Sequence, residues 1–304
     1  MRVRTAAELE TTQGAHKFRT LLNDELRNLG HRVTDWSSKE PFDVVLSRGP
    51  LLRAHLDCAR SVGAKVCIQF GGWDWSPESK RALECAMRHA DGVVYNSRFG
   101  MDDVHARGIR PDCPEAVIHN GCKRMKRASL EHPVFLVACE TYDMPAKARA
   151  LRDAVAGITE LRKNIWDAKL WVAGKAPKME GVDRYLGKVS DQERLAEERS
   201  KVAALVHLVE GDQCPNTVVE ALAQGIPVLC HANSGTPEVI QWYGQSIGDT
   251  TAKKVALELS MIWVRAPAWQ SECLKTFDET LRIDRVAKEY GNFLEELKCT
   301  NSCS

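Results

Sequence analysis

Two carboxylates stand on either side of a turn in the second half of the chain. Asp212 follows an apolar run with the composition of a buried strand, and Glu220 comes later with seven residues between them. Ligands of open α/β sheets gather just past the carboxyl ends of strands, where Asp212 is expected. Glu220 is expected one helical turn past Asn216, where a carboxylate can accept two hydrogen bonds from vicinal hydroxyls, such as those of a ribose.

The turn between these carboxylates contains residues that begin a helix. Asn216 or Thr217 can cap the helix N-terminus, and no proline interrupts the stretch before Gly225. Free backbone N–H groups at a helix N-terminus bind anions, so a phosphate is expected near residues 216–218. Each residue alone fits an ordinary turn, cap or surface charge. Their combination indicates a ligand that carries both hydroxyls and phosphate.

The segments that carry these residues alternate between strand-like and helix-like patterns. Short apolar runs separated by helical stretches predict βαβ units and parallel sheets that are buried on both faces. The predicted strands are 42–46, 65–69, 92–95, 116–119, 134–139, 169–173, 184–187, 202–209 and 226–230, and the predicted helices are 15–29, 51–62, 78–89, 99–107, 146–164, 191–199, 216–224, 237–243, 251–264 and 283–297. The fold class that follows is α/β, with two doubly wound domains.

The domain boundary is expected in a polar, basic stretch without periodicity, residues 122–132. We predict an N-terminal Rossmann-like domain over residues 1–125 and a C-terminal one over residues 126–280. The two would face each other across a cleft. Residues 281–304 would form a last helix and tail that pack back on the N-terminal domain.

Composition favours a reduced, cytoplasmic protein. The chain has 304 residues, 44% of them hydrophobic, and a formal net charge of +1. A charge this close to zero argues against a nucleic-acid or membrane partner. Eleven scattered cysteines include no Cys-x-x-Cys pair. The start has no apolar core of signal-peptide length, and no window is apolar enough for a membrane span. No His-x-x-x-His pattern occurs, and no metal cluster is expected.

The stretch from Asp212 onward resembles the signature of the group 1 family of retaining glycosyltransferases with the GT-B fold. The matching residues are Asp212, Glu220 and the following Ala-Leu-Ala-Gln-Gly-Ile-Pro-Val, and the segment Cys-Pro-Asn-Thr-Val-Val-Glu is similar to a compact subgroup. Gly14 followed by a helix resembles the opening of the family's first domain. Weaker resemblances follow in order at residues 90–97, 118–121, 170–174 and 186–190.

This resemblance implies a role for each matching residue in binding a nucleotide-sugar donor. Glu220 would bind the ribose and Asp212 the hydroxyls of the transferred sugar. Backbone amides of Thr217 and Val218, beside Asn216, would bind the diphosphate. The loops that contain Gly174, Lys188 and Val189 would hold the base, and Gly14 would also bind the donor.

Two positions depart from the family pattern. Lys147 supplies one member of a basic pair that binds the diphosphate, but residues 142–144 do not supply the expected Arg. Arg149, Lys175 or Arg98 is a possible substitute. In the first domain, the loop that usually faces the donor sugar has Gln69, Gly71 and Asp74 in place of the family's residues. Of these three residues we assign a catalytic role to Asp74, in addition to Lys147 and Asp212.

The implied activity is transfer of a sugar to an acceptor hydroxyl with retention of configuration, without a metal or other cofactor. The resemblance implies an acceptor that is a glycan, a lipid-linked sugar or a small molecule. The two departures leave open a protein that binds sugar nucleotides without catalysis. A hydroxymethylated base in DNA is an alternative acceptor, because tryptophans and the basic cluster Lys123, Arg124, Lys126 and Arg127 would suit DNA.

Overall fold

The computed structural model describes residues 1–6, 13–51, 53–71, 76–189, 192–241 and 243–299. The chain divides into two compact units. Unit 1 contains Met1–Gly121 together with the segment that begins at Ile283, and unit 2 contains Cys122–Arg282. In the described part of the chain, no helix is long and apolar enough to cross a membrane.

Unit 1 is built on a parallel sheet of six strands in the order β2-β1-β3-β4-β5-β6. The strands are β1 Arg2–Ala6, β2 Arg32–Thr34, β3 Val44–Arg48, β4 Lys65–Phe70, β5 Gly92–Tyr95 and β6 Glu115–Val117. Helices α1 Gln13–Asn28, α2 Arg53–Ser61, α3 Pro77–Arg88 and α4 Arg98–Ala106 lie between them. The strand order reverses between β1 and β3, which is the doubly wound arrangement.

The last helix of the chain belongs to unit 1. Helix α10, Ile283–Cys299, packs against α1 and adds one apolar face to the core of the sheet. Its buried residues in that core are Ile283, Val286, Ala287, Tyr290, Phe293, Leu294 and Leu297. Leu297 and Phe293 lie directly over Gly92 of β5, where a Cβ atom would collide with Leu297 and make a tight contact with Phe293.

Unit 2 has a second parallel sheet, in the order β12-β11-β10-β7-β8-β9. Its strands are β7 Val134–Thr141, β8 Lys169–Lys175, β9 Arg184–Gly187, β10 Ala204–His207, β11 Val228–His231 and β12 Gly244–Ile247. Numbered within the unit and read from the β9 edge, the order is 3-2-1-4-5-6. This is the Rossmann order, and its switch point lies between β7 and β10.

The helices of unit 2 cover both faces of this sheet. They are α5 Pro145–Leu161, α6 Gln192–Arg199, α7 Asn216–Leu222, α8 Thr236–Ile240 and α9 Ala252–Thr276, followed by a π-helical turn, Phe277–Leu281. The sequence-based expectation of an Asn216 or Thr217 cap on α7 is wrong. Pro215 occupies the N-cap position, without a side-chain hydrogen bond, and Asn216 is already helical.

Candidate functional site

The carboxyl ends of β7 and β10 define the candidate site of unit 2. Parallel strands end at the same edge of a sheet, so the loops after β7 and β10 meet at the switch point. Cys139, near the end of β7, interacts electrostatically with Lys147, in the first turn of the helix after β7, and with Asp212, in the loop after β10. Burial raises the pKa of the Cys139 thiol to about 12, while Lys147 opposes this and Asp212 adds to it. Lys147 and Asp212, two of the residues predicted to be catalytic, therefore lie at the same edge of the unit 2 sheet.

Asp212 is held by a histidine at the end of β10. The Nε2 atom of His207 lies 3.1 Å from an Asp212 carboxylate oxygen. His207 is buried, whereas Asp212 keeps 28% of its side chain exposed. The backbone carbonyl of Asp212 also accepts a hydrogen bond from the Gly235 N–H at 2.8 Å. The carboxylate is thus contacted by a buried histidine and is still partly accessible to a ligand.

Glu220 has a different partner. It lies in α7, and its Oε2 atom is 2.8 Å from Nη2 of Arg199, the last residue of α6. The exposed fractions of the two side chains are 7% for Glu220 and 2% for Arg199. A surface charge on a helix, the plainer interpretation of Glu220, does not describe this buried ion pair.

The start of α7 differs in detail from the expected anion site. The Val218 N–H donates to the Pro215 carbonyl at 3.0 Å, and the Val219 N–H donates to the same oxygen at 3.3 Å. The Val218 amide therefore already has an acceptor in this structure. Asn216 and Thr217 are partly exposed in the first turn, next to the loop that carries Asp212.

The basic residues at this edge of the sheet differ in whether they form an ion pair. Lys147 lies in the first turn of α5 and makes no ion pair within the described residues. Arg149, two residues further along, pairs with Glu210, whose other oxygen accepts a 3.0 Å hydrogen bond from Asn233. These hydrogen bonds lower the pKa of Glu210. Lys175 is exposed at the end of β8.

Tyr142 occupies one of the positions where the family pattern expects the missing Arg. Its side chain is buried, and its hydroxyl donates to the Ala173 carbonyl at 3.0 Å. The position therefore packs β7 against β8 and contributes no cation to the site.

Gly174, Lys188 and Val189 lie at the ends of β8 and β9, at the same edge of the sheet. Gly174 has a φ of +105°, and a Cβ atom there would overlap the Cys139 carbonyl, so close contact between strands already requires this glycine. The Lys188 ammonium lies 3.5 Å from a Glu140 carboxylate oxygen. Val189 is partly exposed beside it.

In unit 1, Asp74 lies outside the described residues. Gln69, at the end of β4, is buried and donates to the Asn96 side-chain oxygen at 3.1 Å. Gly71 follows, and a Cβ atom there would approach Asn96 and Arg48 within 3 Å. Gly14 lies in the first turn of α1. Arg98, the third proposed substitute for the missing Arg, is in the first turn of α4.

The basic cluster that motivated a DNA acceptor is partly engaged within unit 2. Arg124 forms an ion pair with Asp278, and Arg127 donates to the Gln270 side chain. These two cations are therefore not free to form a uniform basic surface. Among the described residues, no group of three or more His, Cys, Asp or Glu side chains could hold a metal ion. Metal independence stays a prediction.

Two residues of the candidate site, Arg199 and His207, could not be predicted from the sequence. Arg199 belongs to a polar helix crowded with charges, and nothing distinguishes it from the neighbouring Arg194. His207 ends an apolar run, where a buried histidine with an ordinary packing role is equally common. Both become visible only through the side chains that they contact.

The fold defined above is the GT-B fold, and solved structures match it over nearly the whole chain. A glycosyltransferase from Rickettsia africae ESF-5 has a TM-score of 0.75 and 14% identity, covering 99% of each chain. Anabaena Alr3699/HepE in complex with UDP-glucose has a TM-score of 0.73 and 13% identity, covering 97% of this chain and 100% of that one. Sucrose-phosphate synthase from Thermosynechococcus elongatus has a TM-score of 0.70 and 13% identity, covering 99% and 100%.

A family match falls on unit 2. Residues 133–256 match the model of the family described as glycosyl transferases group 1. This segment contains Lys147, Asp212 and Glu220, together with the strands that position them. No curated protein matches the chain by sequence.

Proposed function

We propose that this protein is a retaining glycosyltransferase that uses a nucleotide-sugar donor. The observation that carries the proposal is the position of Asp212 and Glu220. Asp212 lies in the loop after β10, at the switch point of a Rossmann-like sheet, and Glu220 lies in the helix that follows this loop. Both are inside the segment that matches the group 1 model, and each contacts a buried partner. A packing role requires neither carboxylate.

The donor would lie along the carboxyl edge of the unit 2 sheet. The Glu220 carboxylate would accept hydrogen bonds from the ribose hydroxyls, and Asp212 would accept them from the transferred sugar. Lys147 and the first turn of α7, at Asn216 and Thr217, would bind the diphosphate between them. The loops after β8 and β9 would enclose the base. Uridine is the base to test first, because Anabaena Alr3699/HepE was solved with UDP-glucose.

The chemistry needs stabilisation of a leaving diphosphate more than a strong base. As the bond from the sugar carbon to the phosphate oxygen breaks, negative charge grows on that oxygen, and Lys147 would stabilise it. The acceptor hydroxyl would attack the same face, so configuration is retained. Its proton would pass to the departing phosphate. Asp212 would hold the sugar, and no step requires a metal ion.

The acceptor is assigned only as a hydroxyl of a glycan, a lipid-linked sugar or a small molecule. A cytoplasmic location accords with a nucleotide-sugar donor. Asp74 keeps, within this proposal, the catalytic role that the family resemblance gives it.

The experiment is a donor screen followed by one substitution. Nucleotide-sugars, UDP-glucose among them, are tested for thermal stabilisation of the protein and for slow donor hydrolysis, since a bound ligand raises apparent stability. Glu220→Ala should abolish both responses, and Glu197→Ala, at an exposed position of α6, should leave both unchanged. Normal transfer by Glu220→Ala would refute the proposal.

The same screen separates catalysis from simple binding. A donor that stabilises the protein but is neither transferred nor hydrolysed would favour the non-catalytic sugar-nucleotide-binding protein. Full activity after treatment with EDTA would support metal independence, and activity restored only by an added divalent ion would contradict it.

A further inference from the structure

Arg199 is a buried cation that contacts the proposed ribose-binding carboxylate. Its Nη2 atom lies 2.8 Å from Oε2 of Glu220, and its side chain is only 2% exposed. The Nη1 atom is also buried and has no hydrogen-bond partner among the described residues. Within that part of the chain, Glu220 is the one carboxylate that pairs with this guanidinium.

Stability alone is a weak explanation for such a pair. Removing two charges from water is costly, and apolar residues of similar volume often replace a buried ion pair with no loss of stability. A guanidinium does give direction, because it is a rigid planar group whose nitrogens point along fixed directions. The contact of Nη2 with Oε2 in a buried setting therefore restricts the orientations that the Glu220 carboxylate can adopt.

The two elements that carry the pair are joined by a second contact. The Gln224 side chain, just past the end of α7, donates to the Ala196 carbonyl in α6 at 2.8 Å. The same amide nitrogen donates to the Lys126 carbonyl at 3.1 Å. Arg199 therefore approaches Glu220 from a helix whose position relative to α7 is set independently of the ion pair.

We propose that Arg199 is a positioning residue for ribose recognition. It holds one oxygen of Glu220 so that the carboxylate meets the 2′ and 3′ hydroxyls of a nucleoside diphosphate in a fixed orientation. This inference rests on the proposed function. It adds that the preference for a ribonucleotide over a deoxyribonucleotide depends on a residue that does not touch the ligand.

The test measures how strongly the protein prefers a ribonucleotide over its dideoxy form, in addition to the affinity for either one. The wild-type protein is titrated with UDP, GDP and ADP, and the tightest binder is compared with its 2′,3′-dideoxy form. Hydrogen bonds to a charged acceptor predict a preference of roughly 10- to 100-fold for the ribonucleotide. Arg199→Lys keeps the charge but loses the fork, so the preference should fall at least about threefold while affinity for the dideoxy form is unchanged.

Arg162→Lys is the matched control. Arg162 follows α5, pairs with Asp183 just before β9 and also donates to the Ala168 carbonyl just before β8. This variant should lose stability but keep the full ribose preference. A purely structural Arg199 would behave in the same way, and full discrimination by Arg199→Lys would overturn the inference while leaving the proposed function intact. A wild type that binds none of the three nucleotides would overturn the proposed function, and this inference with it.

A structural measurement decides the question if Arg199→Lys does not fold. In a crystal structure of the wild type with the bound nucleoside diphosphate, Glu220 should keep its contact with Arg199 and use its other oxygen for the ribose. A carboxylate that leaves Arg199 in order to reach the ribose would refute the positioning role.

Discussion

At the scale of single residues, Lys147 is the cation on which the leaving diphosphate should depend most. It makes no ion pair within the described residues, whereas Arg149 is already held by Glu210. Lys147→Met should weaken UDP binding about tenfold and leave UMP binding nearly unchanged, because the terminal phosphate loses its charged partner. Calorimetric titration of both nucleotides measures the ratio.

Lys163→Met is the control for this change, since Lys163 follows the opposite end of the same helix and pairs with Glu160. It should leave both affinities at the wild-type value. Equal losses for UDP and UMP in Lys147→Met would place Lys147 away from the terminal phosphate. Arg149, Lys175 and Arg98 would then be examined in its place.

The sequence predicts the site's carboxylates but not the residues that orient them. Asp212 and Glu220 stand out because their spacing spans a strand exit and a helix start, a pattern that is local in the chain. Arg199 meets Glu220 through packing of α6 against α7, a contact that no local pattern contains. The N-cap of α7 was predicted wrongly for a related reason, since Asn, Thr and Pro are all acceptable near a helix start.

At the scale of elements, the contact between β7 and β8 depends on Gly174. Its φ of +105° is unfavourable for a residue with a side chain, and a Cβ atom would also overlap the Cys139 carbonyl. Gly174→Ala should therefore lower the free energy of unfolding of unit 2 by about 2–5 kcal/mol, combining backbone strain and overpacking. Chemical denaturation measures the loss.

Gly187 separates these two contributions. It has a φ of +67°, but nothing lies within 4 Å of the position of its Cβ atom. Gly187→Ala should cost only the backbone strain, about 1–2 kcal/mol. If both substitutions cost the same, close contact of Gly174 with β7 is not what requires the glycine.

The elements that the sequence does not predict are those where tertiary contacts override a local signal. The apolar pattern of the sequence does not predict strand β1, because Arg2 and Arg4 interrupt it. In the structure, Arg4 is buried with its guanidinium carbon 4.0 Å from the centre of the Phe42 ring, and it donates to the Glu40 carbonyl. The sequence predicts that helix α9 ends at residue 264, but the helix continues past Pro267 because its later turns are buried.

At the scale of the whole molecule, unit 1 is built from both ends of the chain. Helix α10 follows the whole of unit 2 in sequence, yet its apolar face belongs to the core around β1 and α1. The amphipathic pattern of residues 283–297 predicts the helix. It does not say which core the helix completes, because periodicity defines a face and not its partner.

Asp43 connects the two ends of the chain within unit 1. Its carboxylate accepts a 2.8 Å hydrogen bond from the Arg2 backbone N–H and pairs with the Arg2 guanidinium at 2.7 Å. Lys298, in the last turn of α10, lies 3.4 Å away. The hydrogen bond from the Arg2 side chain is the main cause that lowers the pKa of Asp43.

This lowered pKa makes the stability of unit 1 depend on pH in a defined direction. The unfolded chain binds the Asp43 proton near the ordinary value, about 3.9, whereas the folded protein binds it only at lower pH. The stabilisation is therefore complete above the unfolded pKa and is lost as pH falls through the folded pKa. Asp43→Asn should cost about 1–3 kcal/mol at neutral pH, and this difference should shrink steadily on acidification.

Amide hydrogen exchange of β1 in the wild type and in Asp43→Asn, measured at several pH values, tests the direction. Asp24→Asn is the control, because Asp24 forms an exposed pair with Arg27 in α1 and such pairs contribute little. Its effect on exchange should be small at every pH. A difference between Asp43→Asn and the wild type that stays constant down to the lowest pH would contradict the linkage. The contribution of Asp43 would then come from packing, and the contact between the two ends of the chain would not depend on its charge.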